Sequence, residues 1–274
     1  VPLMGLLSRR PALTAALLGP GPYLAMDLAG AAMTARITRR RRRAERLAAR
    51  SREMAATVED PRTLAMVEFM IALGSDVIPP AHATSGEACR WILQHHGRWL
   101  DLGDHLDLVA VLGYLLLLRG HAAQAAELYR TSRHRAGRDG VPGHEYATIG
   151  ARAAALLGNA GEAAAELDAV RAVVATNPHN VGGRLGVALA ELIVVAERGD
   201  VGTALDEAIE GFTAFGRTPG QVWAAQRPFW VHQAFGRLAQ AAAAEPQDRA
   251  HRVAMATEAV RALHRAANGS LLRG

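Results

Sequence analysis

No lysine occurs in this sequence: all 31 of its strongly basic side chains are arginine. That absence excludes several reaction classes. A phosphate-cradling P-loop, a protein kinase site and Schiff-base chemistry each need the lysine amine, so none can operate here in recognised form. Cysteine is nearly as scarce. Cys89 stands alone, which leaves no intrachain disulfide framework, no zinc ribbon on paired cysteines and no cysteine-ligated iron–sulfur cluster. A reducing, cytoplasmic setting fits that usage. Also missing are a His-Glu-x-x-His run, a Gly-x-Ser-x-Gly elbow and a Gly-x-Gly-x-x-Gly turn after a strand. Aromatic residues are only 5% of the 274 positions, and runs of β-branched residues are few.

What is present favours helices. Alanine fills about a fifth of the chain, far above ordinary usage, and small side chains let helices approach closely in bundles and solenoids. Alanine and arginine without lysine also match the codon bias of a GC-rich bacterial genome. The formal net charge is only +5, so the sequence pI of about 10.2 overstates the case for a nucleic-acid partner.

The chain opens Val1-Pro2, which reads as a fragment of a longer polypeptide or the product of a non-Met start. Residues 11–35 are largely apolar but are interrupted by Gly19-Pro20-Gly21-Pro22 and carry Asp27. Each apolar piece is shorter than the roughly 20 residues of a membrane span, and the Gly-Pro pair breaks a continuous helix. No cleavage pattern of a signal peptide follows Arg9-Arg10. Next comes the densest charge cluster, Arg36, Arg39, Arg40, Arg41, Arg42, Arg43, Arg46, Arg50 and Arg52. It reads as the solvated face of a long helix or as a contact for an anionic surface, nucleic acid or membrane. Without interleaved aromatics, base stacking has no support. Composition divides the chain into an apolar, basic segment over 1–43, which reads as the end of an upstream domain, and a helical region over 44–274.

Beyond that point helices and turns alternate. Asp60-Pro61 predicts a helix start, with proline in the first turn; Thr84 and Glu87 predict a capping box; the apolar run 109–118 predicts a buried helix. Similar helix ends recur at Leu118-Arg119-Gly120-His121, Leu156-Leu157-Gly158-Asn159 and Glu197-Arg198-Gly199-Asp200, each followed by an alanine-rich helix. The intervals are 158 − 120 = 38 and 199 − 158 = 41 residues. Each unit is one helical hairpin.

These residues resemble a tetratricopeptide repeat. Leu112-Gly113, Gly120, Ala125 and Tyr129 match the first hairpin, and Ala151, Gly158 and Ala163 the second. Asn177-Pro178-His179-Asn180 looks like the family's linker. Gly199 with Ala204 fits a third unit, and Ala234-Phe235-Gly236 part of a fourth. The resemblance implies an all-α fold of tandem antiparallel hairpins in a right-handed superhelix, an α-solenoid with a concave surface lined by first-helix residues. It places Tyr114, Glu145 and Arg152 in that groove as candidate contacts for a peptide or protein partner.

Other chemistry is thinly supported. His95 and His96 point about 100° apart on a helix and do not chelate one ion comfortably, so they read as a partly exposed helix end near Trp91 and Trp99. Ser75 is the only serine in a suggestive loop. Trp223, Arg227, Pro228, Phe229, Trp230 and His232 form the one aromatic cluster, either a ligand anchor or packing where a helix starting at proline meets its neighbour. The expected function is therefore non-catalytic: a binding or sensor scaffold, with neither metal nor cofactor, in a bacterial signalling or transcriptional regulator. An ATPase, kinase or DNA-binding part would lie upstream in the parent chain. The alternatives are an anionic-surface binder working through Arg36–Arg52 and a helical enzyme of unrecognised type.

Overall fold

The structure, a computed structural model, describes residues 19–37, 40–75, 82–138, 147–177, 179–219, 221–222 and 224–267. Within them the chain is all-α, with twelve α-helices and one 3₁₀ turn. In order these are α1 (Pro22–Ile37), α2 (Arg41–Val58), α3 (Pro61–Ser75), α4 (His82–His96), α5 (Leu102–Leu118), α6 (Ala122–Arg138), α7 (Ala147–Leu156), α8 (Ala160–Ala175), α9 (Val181–Glu197), α10 (Thr203–Thr213), the 3₁₀ turn (Ala224–Gln226), α11 (Pro228–Ala243) and α12 (Pro246–Ala267). None of the described helices is long and apolar enough to cross a membrane. Packing divides the chain into two compact units, residues 1–108 and 109–274. The compositional division at 43/44 falls inside α2, because the basic run there opens a helix rather than a linker.

In the first unit, α1 begins directly after the Gly19-Pro20-Gly21 interruption. Its buried positions are Ala25, Ala29, Ala32 and Ala35; those of α2 are Ala44, Ala48, Ser51 and Ala55. Both sets recur at spacings of three and four residues, one stripe per helix. With methyl-sized groups on both seams the axes can approach to about 8 Å. The hydroxyl of Ser51 donates to the Ala25 carbonyl at 2.7 Å, so the single polar group in the α2 stripe is satisfied. Ala25, Ala29 and Ala55 join Val67 of α3 in one core cluster. Helix α3 starts where Asp60-Pro61 predicts it. Asp60 accepts from the backbone N–H of Thr63 at 3.0 Å and from the Thr63 hydroxyl, which holds its carboxyl below the usual range. The expected capping box is displaced: α4 already begins at His82, so Thr84 lies within the helix rather than at its cap. Cys89 is fully buried in α4.

The second unit repeats one local design. Helices α5, α7 and α9 each end at a glycine in the left-handed region: Gly120 at φ 76°, Gly158 at 78° and Gly199 at 71°. At all three the next residue donates back to the carbonyl five positions earlier, His121 to Leu116 at 2.8 Å, Asn159 to Ala154 at 2.9 Å and Asp200 to Val195 at 3.3 Å. This is the Schellman closure, which only glycine enters without strain. Each closure is followed by a short turn and the next helix. The predicted linker also has a structural role, since Asn180 caps α9 by accepting from the Gly183 N–H at 2.9 Å.

Helix α7 packs on α8, on α6 before it and on α9 after it; α9 packs in turn on α10, α8 and α11, and α11 on α12. One glycine in the first helix of each pair marks the close approach. A Cβ added to Gly113 would meet Ile149 of α7, one on Gly186 would meet Thr148, and one on Gly236 would meet Leu205. At Gly150 the obstacle is rigid. The Tyr129 ring lies 2.8 Å from the site of the Cβ at both Cδ1 and Cζ, and its hydroxyl is tied to Glu166 at 2.6 Å. Gly150→Ala is therefore expected to destabilise by about 1–3 kcal/mol despite alanine's better helix propensity. Gly211 of α10 has no atom within 4 Å of a Cβ, so Gly211→Ala is expected to stabilise by about 0.5–1 kcal/mol. Urea unfolding of the two variants checks both signs.

Candidate functional site: a cleft across α10, α11 and α12

The residues expected to line a groove do not share one. All of residues 147–155 of α7 are buried, because α6, α8 and α9 surround this helix and the 3₁₀ turn reaches its remaining side. Arg152 is 2% exposed and Tyr114 5%; they are interior residues, and a partner in solution does not meet them directly. Tyr114 shares a 3.0 Å hydrogen bond with Thr148. Trp230 is also interior, 5% exposed. Arg227 is half-buried. Glu145, Trp223 and Arg39 lie outside the described residues.

The aromatic cluster acquires a partner that the sequence did not reveal. Phe229 stacks on Phe212 of α10, with centroids 3.9 Å apart and an 11° tilt. Trp230 meets the edges of both rings at 6.0 and 5.4 Å. The bland reading, that these rings fill the volume where α11 begins beside its neighbour, describes most of their surface. Their outer edges nonetheless floor a cleft of about 410 Å³ between α10, α11 and α12. Met255, Ala259 and Ala262 of α12 form its opposite wall, and Thr213, Arg217, Gln233 and Glu258 bring polar groups to it. An apolar floor with a few convergent polar groups is the usual make-up of a ligand or peptide site.

A buried polar network holds the three helices in place behind that cleft. Arg237 of α11, 7% exposed, pairs with Asp206 of α10 and donates to Gln240 at 2.7 Å. Gln240 donates to Asp206 and to the Val201 carbonyl, both at 3.0 Å. Arg252 of α12 reaches the other Asp206 oxygen at 3.3 Å. Burial alone would raise the Asp206 carboxyl, but bonds from Gln240 and Arg237 outweigh it and hold the group below its ordinary range. Sequence reasoning missed this network, since Asp206, Arg237 and Arg252 look like surface charges on amphipathic helices.

The comparisons add no relative. No protein-family model, curated protein or solved structure matches this chain. The site must therefore be read from its own residues. Among the described residues no group of three His, Cys, Asp or Glu side chains could hold a metal ion. His95 and His96 end α4 as expected, both rings against Trp91, at 5.2 and 4.8 Å, with His95 Nδ1 2.9 Å from the Trp91 carbonyl. Ser75 ends α3 inside a helix rather than in a loop. On α2, Arg41 pairs with Glu45 at 3.8 Å, and Arg52 forms a fork with Glu68 at 2.6 and 2.7 Å. Arg40, Arg42, Arg43, Arg46 and Arg50 are exposed.

Proposed function

We propose that the second unit is a tetratricopeptide-like array of four hairpins, α5–α6, α7–α8, α9–α10 and α11–α12, and that it binds a peptide segment of a partner protein in the cleft across α10, α11 and α12. The observation that carries the reading is the recurrence of one glycine-closed helix end at Gly120, Gly158 and Gly199. Hairpins joined by the same closure, with each first helix packed on the next, are how such repeats bury their open faces. The function is binding rather than catalysis, as in a regulator's sensor region.

Selection of a displayed peptide library against the whole chain tests this, with Ala262→Trp as the counter-screen because a tryptophan there fills the cleft. Peptides that bind the parent chain and lose at least about tenfold in affinity for the filled variant, roughly 1.4 kcal/mol, are the expected result. A library that yields no binder, or binders indifferent to Ala262→Trp, overturns the assignment.

A second reading rests on the exposed arginines of α2. A face carrying Arg40, Arg42, Arg43, Arg46 and Arg50 would hold an anionic surface, and it predicts binding to vesicles or DNA that weakens steeply with salt. Absence of binding at low salt removes it.

A further inference from the structure

Arg152 carries a positive charge into the interior, where no counter-charge meets it among the described residues. Its guanidinium lies 5.2 Å from the centre of the Tyr114 ring, and Nη1 approaches the Ala225 carbonyl at 3.5 Å, the outer limit of a hydrogen bond. The Nε–H is buried and meets no acceptor. Among the described residues no carboxylate comes within ion-pair distance of it. Burial pushes the group down to about 10, with only Tyr114 acting the other way, a depression that an adjacent carboxylate would have reversed. Two neighbours repeat the pattern. Arg227, two residues past the carbonyl that Arg152 touches, also has a buried Nε–H without an acceptor, and burial lowers it too. His232 of α11 is pushed down to about 4 by burial and by the charge of Arg152. Among the described residues the acid that meets His232 is Glu197 of α9, an exposed side chain whose Oε1 stands 3.9 Å from Nδ1.

An isolated buried cation costs several kcal/mol, and such sites are occupied in nature by paired charges. We infer that Arg152 is the binding site for a single carboxylate group of a small organic acid. His232 is close enough to feel its charge. The Nε edge of a guanidinium, here buried and without an acceptor, is a planar fork that matches a carboxylate bidentately. A planar monoanion is favoured over a phosphate because Arg152 is only 2% exposed, and a tetrahedral dianion would bring more volume and more charge into that interior. Arg227 and His232 each keep some surface in solvent, and an anion would reach Arg152 by local opening of the packing beside them. The assignment is independent of the cleft across α10, α11 and α12 and of the peptide-binding reading.

The experiment is thermal unfolding of the whole chain at fixed ionic strength, with sodium acetate or sodium phosphate replacing sodium chloride. Acetate is expected to raise Tm saturably, by about 4 °C once it exceeds its Kd about tenfold, and Arg152→Met is expected to abolish the rise. In acetate-free buffer the same variant should melt no lower than the parent, because it removes a buried charge that no carboxylate meets among the described residues. A second readout uses the unaltered chain, so it stands even if the variant fails to fold. Nuclear magnetic resonance titration of the His232 ring should show its protonation moving up from about 4 when acetate saturates the site, since the bound carboxylate neutralises the charge that holds it down. No saturable effect of acetate, an equal effect on Arg152→Met, an unmoved His232, or stronger stabilisation by phosphate than by acetate would each overturn the inference.

Discussion

Asp206→Asn is expected to lower the stability of the second unit by about 3–5 kcal/mol, the largest loss foreseen for any single substitution here. The size of the effect comes from Arg237, not from the aspartate itself. Asp206 is partly exposed, and an ion pair judged from its side alone would contribute little. Arg237 is 7% exposed, and without the carboxylate its charge would keep only neutral acceptors, the Gln240 carbonyl at 2.7 Å and the amide oxygen that the substitution leaves. The variant thus leaves an uncompensated cation between three helices. Adding Arg237→Met to Asp206→Asn should recover more than half of the loss, because the charge goes with its partner. Urea midpoints of the two singles and the double give the coupling directly. A single-variant loss below about 1 kcal/mol, with no recovery in the double, would mean that solvent already screens the pair.

The second large effect is a loss of stability in mild acid that belongs to His232. In the unfolded chain its imidazole titrates near 6.5; in the fold, burial and the charge of Arg152 hold it down to about 4. Above pH 6.5 both states are neutral and the residue contributes nothing. As the pH falls from 6.5 towards 4 the unfolded state takes up the proton first, so stability drops, by about 3 kcal/mol at the acid end of that window. Glu197, 3.9 Å away and exposed, offsets little of it. The carboxyl of Asp206 is held below its usual range, so its contribution disappears only below about pH 4, which separates the two groups. Urea unfolding between pH 7 and 4, with His232→Gln as reference, should show the parent falling towards the variant. Parallel curves would place His232 in water rather than in the interior.

Much of the helical plan could be read from residues whose roles are local. Gly120, Gly158 and Gly199 are legible because a helix that ends on glycine closes in a way few other residues allow, and the requirement is carried within six residues. Asp60-Pro61 and Asn180 are legible for the same reason. The site was not. Tyr114 and Arg152 occupy plausible groove positions on their own helices, but their exposure is decided by packing far along the chain, including a carbonyl at residue 225. The capping box at Thr84 was misplaced because two earlier residues also enter the helix. The Asp206 network was illegible because a charge on an amphipathic helix is solvated by default, and only the approach of α11 and α12 makes this one interior.

The alanine seam between α1 and α2 has a thermal consequence. The buried stripes of the two helices carry eight small side chains, and unfolding them exposes far less apolar area than leucine stripes of equal length would. Heat capacity of unfolding scales with the apolar area exposed, so this contact contributes little curvature to the temperature dependence of stability. A pair of helices joined in this way depends on close fit rather than on the ordering of water, and its strength should change little between cold and warm conditions.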